Sequence, residues 1–567
     1  MFTLLHLFKQ EKSKILFFKI MLKPRLISIL ISLVFFSCKN DKAADTIFIN
    51  GVIWTANQGF PIAEAMAIHS DTIMAIGDSM KIQNLKGSST QIIDLKNKFV
   101  SPGFIDTHVH LLMGGNSLLS VQLRNAATKK EFIKRIKEHA RTLEPNQWIV
   151  EGNWDHTLWG GELPSKEWID EFTDENPTAV FRIDGHMILA NSAALKIAGI
   201  DKNTSDIENG EIVRDNNGEP TGILKSEAMN LVLNKIPALD SLQKYDAINR
   251  AQQYLLSNGV TSIHDVDSLG GLKVLKKMHE SNMLNIRVYS ADPLNEWNIS
   301  AKKENLDNKY LKNGLLKGFM DGSLGSHTAA FSEAYSDRSN DKGLMIAKRD
   351  SMLSWIKHAV LNNFQVTVHA IGDEANHQLL NIYEQIIDEN QDQDLRFRIE
   401  HAQHLRKSDI KRFSNLNVIA SMQPYHAIDD GRWAEKLIGP KRIKTTYAFK
   451  SLLDANTKLV FGSDWPVAPA SPILGMYAAV TRKTLDSKNP YGWVPEQKIS
   501  IEQSLYAYTK DAAYSSYDEN HLGSLDIGKL ADFVILSDDL TEIDSDKIKD
   551  VKVLATYVGG KKVYGNN

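Results

Sequence analysis

Phe104-Ile105-Asp106-Thr107-His108-Val109-His110 reads as the end of a buried strand carrying two histidines. Residues two apart on a β-strand point to the same side, so His108 and His110 can aim both imidazoles at one point. That is a metal-binding geometry. A bare His-x-His also occurs in purely structural settings, so its meaning depends on ligands supplied from elsewhere. If this strand is one of a parallel set separated by helices, residues at the other strand ends converge on it.

Working outward, short apolar runs at 104–108, 260–265, 286–290, 315–320, 365–369, 396–401, 418–423 and 458–464 alternate with segments of helical periodicity. Eight such strands predict an α/β fold, a distorted TIM (β/α)8 barrel with its chemistry at the C-terminal strand ends. The barrel is expected over 101–514. Strands one and two are separated by roughly 150 residues, whereas a plain strand-helix unit takes about 30. An inserted lid or subdomain is therefore expected at about 120–240, on the catalytic face. It holds Phe132, Ile133, Ile136 and Ala140 at helical spacing, and an aromatic stretch at 148–159 that reads as a satellite core. It also contains Arg182-Ile-Asp-Gly-His186, whose Arg182 and His186 are candidates to bind substrate.

The chain ends are rich in strand signals. Segments 46–100 and 515–567 are too short to bury much core separately, so together they are expected to form one small β-sandwich. Tight hairpins are expected at Asn50-Gly51, Ser70-Asp71 and Gly559-Gly560.

With 43% hydrophobic and 24% charged residues, the 567-residue chain has the composition of a soluble globular protein. Its net charge is −3, from 66 basic and 69 acidic side chains, and no basic cluster suggests nucleic acid as a partner. A small molecule is the expected partner, and oligomeric state is not legible. Residues 1–38 read as a targeting segment: Met21-Leu-Lys-Pro-Arg supplies positive charge, 26–36 an apolar run too short to span a bilayer comfortably, and Ser37-Cys38 follows. Met1 and Met21 are both candidate starts. The segment resembles a bacterial lipoprotein signal with Cys38 as the lipidated residue, although Phe35 stands where that pattern prefers leucine. This implies a lipid-anchored protein of the bacterial cell envelope, with 39–45 as linker; an uncleaved anchor or a secretory signal are the alternatives. Cys38 is the only cysteine, which excludes an internal disulfide, a thiolate metal site and a cysteine nucleophile in the body of the protein.

The expected strand ends carry Lys317 with Asp321, His369, His401 and Asp464. Taken singly, these would be ion-pair partners, satisfied histidines and a helix cap; together with His108 and His110 they make a ligand inventory. Histidine and carboxylate donors without thiolate suit zinc foremost, and also manganese, iron or nickel. The set Gly103-Phe-Ile-Asp-Thr-His108-Val-His110, Lys317 with Asp321-Gly-Ser, Val368-His369-Ala-Ile-Gly-Asp, Ile399-Glu-His401 and Gly462-Ser-Asp464 resembles the amidohydrolase superfamily. Within it the chain is similar to the amidohydrolase-3 or YtcJ-like group, which includes N-substituted formamide deformylase. The resemblance implies that His108, His110 and Asp464 hold one metal and His369 and His401 another. It also implies that Lys317 bridges them as a carbamate, and that one or two ions are bound. The expected reaction is attack of a metal-bound hydroxide on a non-peptide C–N bond of an amide, formamide or cyclic amide, with Asp464 moving the proton. An ester or lactone hydrolase on the same site, and a non-catalytic small-molecule-binding lipoprotein, are the alternatives. His264, His404 and His426 rank below His186 as groups that orient substrate, and Asp321 is a further candidate contact.

Overall fold

The computed structural model describes residues 43–182, 187–207, 210–267 and 269–565. The signal segment with Cys38, most of the linker and His186 lie outside the described residues. Residues 44–567 form one compact unit.

All eight expected barrel strands are present: Phe104–Val109, Val260–Asp265, Arg287–Pro293, Leu311–Phe319, Gln365–Ala370, Arg398–His401, Ile419–Met422 and Leu459–Phe461. Each runs parallel to the next in one eight-stranded sheet. Buried on both faces, these strands read in sequence as apolar runs instead of alternating ones. Phe104–Val109 is buried throughout.

The barrel closes between its eighth and first strands through loop contacts. The eighth strand ends at Phe461, short of the expected 464, because residues 462–464 turn toward the first strand. There Asp464 N donates to His108 O at 2.8 Å, His110 N to Trp465 O at 3.0 Å, and Ser463 N to the Asp106 carboxylate at 2.8 Å. Only glycine fits at 462, since a Cβ there would sit 2.6 Å from the His108 nitrogen.

Helices pack outside this barrel on apolar faces. Ser241–Ser257 starts at a reciprocal cap, Asp240 accepting from Gln243 N while the Gln243 side chain accepts from Asp240 N, and buries Ile248, Ala251 and Leu255.

The chain ends build two further sheets. One has four strands in the order Thr72–Gly77, Ala65–His69, Ala44–Ile49, Lys86–Asp94. The other has six, in the order Lys561–Tyr564, Val553–Val558, Phe533–Leu536, Phe99–Pro102, Val52–Trp54, Ile62–Ala63, and so joins both ends of the chain. Between the sheets Phe48 meets Phe533 and Tyr557 edge-on at 5.1 and 5.3 Å. The hairpins at Ser70-Asp71 and Gly559-Gly560 form, but the one expected at Asn50-Gly51 does not. Ala44–Ile49 has both edges taken by Ala65–His69 and Lys86–Asp94, so Asn50, at φ 56°, carries the chain across to the other sheet.

The insertion after the first barrel strand has its own five-stranded sheet, Gly210–Arg214, Pro220–Ser226, Met187–Ala190, Thr178–Arg182 and Ile149–Trp154. The helix Lys129–Ala140 packs on it through Phe132 and Ile136. The aromatics form the satellite core: Trp154, Trp159 and Trp168 surround Phe132 at ring distances of 5.4–6.4 Å.

Candidate metal centre

Strand register brings His108, His110, Lys317, His369, His401 and Asp464 to the wall of one chamber at the barrel mouth, about 770 Å³ in volume. Each histidine has one ring nitrogen committed elsewhere, which fixes the ring and leaves the second nitrogen for a ligand. His108 Nδ1 is 2.6 Å from Glu400 Oε2, His110 Nδ1 pairs with Asp267, and His401 Nδ1 is 2.7 Å from Gln423 Oε1. His369 is held the other way round, its Nε2 lying 3.0 Å from the Gly322 carbonyl. The remaining nitrogens of His108 and His110 lie 3.4 and 3.0 Å from Asp464 Oδ1. Lys317 Nζ stands 3.5 Å from His108 Nε2.

Beneath the chamber, the fully buried pair Arg398 and Glu400 meets at 2.7 Å. Glu400 thereby stays ionised: burial opposes its charge, but Arg398 and His108 hold its pKa well below the ordinary carboxylate value. Burial likewise opposes ionisation of Asp464, and His108, His110, His401 and His426 overturn it. His108 and His369 are held neutral, with pKa values lowered to about 4 and about 3 by burial and by Lys317. His110 differs. Burial lowers its pKa, but hydrogen bonds to Asp267 and Asp464 raise it to about 9. Burial brings Lys317 from 10.5 down to about 8, against the attraction of Glu400 and Asp464.

Two of these residues adopt backbone conformations that a side chain rarely takes, His401 at φ 73° and Asp464 at φ 60°. Such strain collects at functional sites. On strand six it also lets Glu400 and His401, neighbours that would otherwise face apart, both reach the interior.

Oriented imidazoles, an ionised carboxylate and a lysine eased toward neutrality are a donor set for divalent metal. His108, His110 and Asp464 offer ligand atoms within 4.8 Å of one another, as do His401, His426 and Asp464. His426 is the chamber residue the sequence reading undervalued. It sits in the first turn of the helix Pro424–Asp430, just past the seventh strand, with a buried Nε2 that lacks a hydrogen-bond partner. That position, four residues beyond a barrel strand end, was the available signal. His264 and His404 are structural, tied to Arg398 and Thr446.

The expected substrate contacts fare differently. Asp321 does not line the chamber: its oxygens accept from the backbone of Ala330, Ile371 and Gly372, so it organises the loop after the fourth strand. Arg182 stays in the inserted sheet, donating to His156 at 3.3 Å and paired with Asp155 at 3.7 Å. No described residue of the insertion lines the chamber, because its apolar faces are spent on its own core.

A nearly closed parallel barrel with a histidine and aspartate metal site at its mouth defines a metal-dependent hydrolase of the amidohydrolase type. Residues 91–564 match the amidohydrolase family, and the chain belongs to it. It is 40% identical over 539 residues to Protein LONG AFTER FAR-RED 3 of Arabidopsis thaliana, covering 92% of each chain. It is 30% identical to the putative amidohydrolase YtcJ of Bacillus subtilis, covering 91% of this chain and 99% of that one. Identity to the N-substituted formamide deformylase of Arthrobacter pascens is 24%, over 91% of this chain and 97% of that one. Among solved structures, an uncharacterised metal-dependent hydrolase from Pyrococcus horikoshii superposes with a TM-score of 0.75 at 29% identity, over 88% of this chain and 99% of that one.

Proposed function

We propose that this hydrolase cleaves a non-peptide C–N bond in a small amide, N-substituted formamide or cyclic amide. The observation that carries the reading is the convergence of four oriented imidazoles, Lys317 and Asp464 on one chamber. A scaffold that merely binds a small molecule has no use for a buried lysine beside an ionised aspartate.

In this proposal His108, His110 and Asp464 would hold one ion, His369 and His401 would hold a second, and Lys317, as its carbamate, would supply an anionic ligand to both. Zinc is the foremost candidate, and a divalent ion bound there supplies carbonyl polarisation and an acidified water. Asp464 takes the proton of the attacking water and delivers it to the leaving nitrogen. Its Oδ1 is held by His110, while Oδ2 lies 3.9 Å from His426 Nε2. Glu400, Asp267 and Gln423 keep the rings from rotating.

The test is metal analysis of protein starting at Lys39, with and without bicarbonate, followed by assay against N-substituted formamides, acylated amino acids and cyclic imides. Less than about one metal per chain overturns the enzyme reading, and exclusive turnover of esters or lactones overturns the C–N assignment. We also propose that Cys38 is lipidated and anchors the protein in a cell envelope. Membrane fractionation of the wild type and of Cys38→Ser, with labelled fatty acid, tests this.

A further inference from the structure

A second cavity, about 520 Å³, opens beside the chamber and shares His110, Lys317 and Phe319 with it. Its walls are mainly apolar, with Val266, Leu294, Phe319, Ile346, Ala347 and Trp355 contributing. Phe319 and Ile346 remain 45% and 58% exposed there, which is costly for large side chains unless something covers them. Ile346 is not on a loose loop: its backbone nitrogen donates to Met320 O at 2.8 Å, laying it against the end of the fourth strand. Gly318 keeps this wall clear, since a Cβ there would press on Leu294 at 2.8 Å.

Away from the wall it shares with the chamber, where His110 and Lys317 stand, the charges around this cavity are arranged against an anion. Lys303 is engaged by Asp292 at 2.6 Å, and Asp292 also accepts from Ser300 at 2.9 Å. Asp267 accepts from His110 and retains a buried Oδ1 without a hydrogen-bond partner, and Glu296 lies at the rim. No arginine lines either cavity among the described residues, so no guanidinium fork is present to receive a carboxylate.

We propose that this side cavity receives a neutral, apolar substituent of the substrate, of phenyl or branched-alkyl size, and that amides bearing a carboxylate there are discriminated against. The inference rests on the C–N hydrolase reading for its location, since the shared wall puts the substituent beside the reacting carbonyl. An apolar cavity of about 150 Å³ already accepts benzene, so the space suffices.

The experiment compares kcat/KM for the N-methyl, N-benzyl, N-carboxymethyl and N-(2-aminoethyl) formamides with metal-loaded wild type and Ile346→Lys. Residue 346 is exposed, so the variant is expected to fold. The wild type should prefer benzyl over methyl and over both charged analogues by on the order of 10–100-fold. Ile346→Lys should lower the benzyl to carboxymethyl ratio at least tenfold. Calorimetry with N-benzylacetamide supplies a readout independent of turnover: binding with a negative heat-capacity change is expected, weakened in Ile346→Lys. Equal turnover of methyl and benzyl, preference for a charged analogue, or an unaltered ratio in the variant overturns the proposal. If no formamide is cleaved, the formamide branch of the C–N reading fails, and the calorimetric result alone decides on the pocket.

Discussion

Lys317 is 4% exposed, and burial brings its pKa from 10.5 to about 8. That difference corresponds to about 3 kcal/mol by which the metal-free fold disfavours the charged amine. Lys317→Met removes the charge and keeps the length, so it is expected to stabilise the metal-free protein by about 3 kcal/mol at pH 7. The same change removes the proposed bridging ligand and should weaken zinc binding on the order of tenfold or more. Because the folded pKa is the lower one, the cost is fully present below pH 8 and is relieved as pH rises toward 10.5. The stability difference between variant and wild type should therefore shrink over that interval. Urea unfolding of chelator-treated protein at pH 7, 8 and 9.5, with zinc titration in parallel, measures both quantities. A variant less stable than wild type at pH 7 without metal, or a stability difference constant with pH, would refute the reasoning.

Three further outcomes follow from the chamber. Asp464→Asn should lose about 10²–10⁴ in kcat, a larger factor than its loss of zinc affinity, as single-turnover kinetics and metal titration can show. Glu400→Gln takes the ionised partner from His108 Nδ1 and should cost about 10–100-fold in metal affinity, measured by competition with a chromogenic chelator. Zinc loading at pH 7 should release protons, since His110 is held protonated up to about pH 9 and Lys317 up to about pH 8. Calorimetry in buffers of different ionisation enthalpy should show that release declining above pH 9.

Much of the barrel was legible because parallel strands announce themselves as short buried runs, and their count needs no accurate boundaries. The candidate ligands were legible because they stand at the ends of those runs. What escaped was set by backbone conformation and by neighbours distant in sequence. Simple alternation cannot bring Glu400 and His401 to the same interior; the left-handed turn at His401 does. Asp321 has the sequence position of a chamber residue, but three backbone donors, all from segments after the fourth and fifth strands, occupy its oxygens. Asn50-Gly51 has the composition of a hairpin, but the preceding strand had no free edge to offer. The insertion's aromatics pack around Phe132 as their sequence implied, but Arg182 is spent on His156 and Asp155, partners its sequence context did not announce.

The six-stranded sheet sets a timetable for biosynthesis. Phe99–Pro102 leads directly into the first barrel strand, and one of its neighbours, Phe533–Leu536, is translated more than 400 residues later. At translation rates of about 5–20 residues per second, the intervening stretch takes roughly 20–90 s to emerge. Throughout that interval Phe99–Pro102 has an open edge, a template for mispairing with another nascent chain. Whatever shields Phe99–Pro102 in the cell has to do so until Phe533–Leu536 arrives, and deleting Phe533–Leu536 should damage solubility although it removes no candidate ligand.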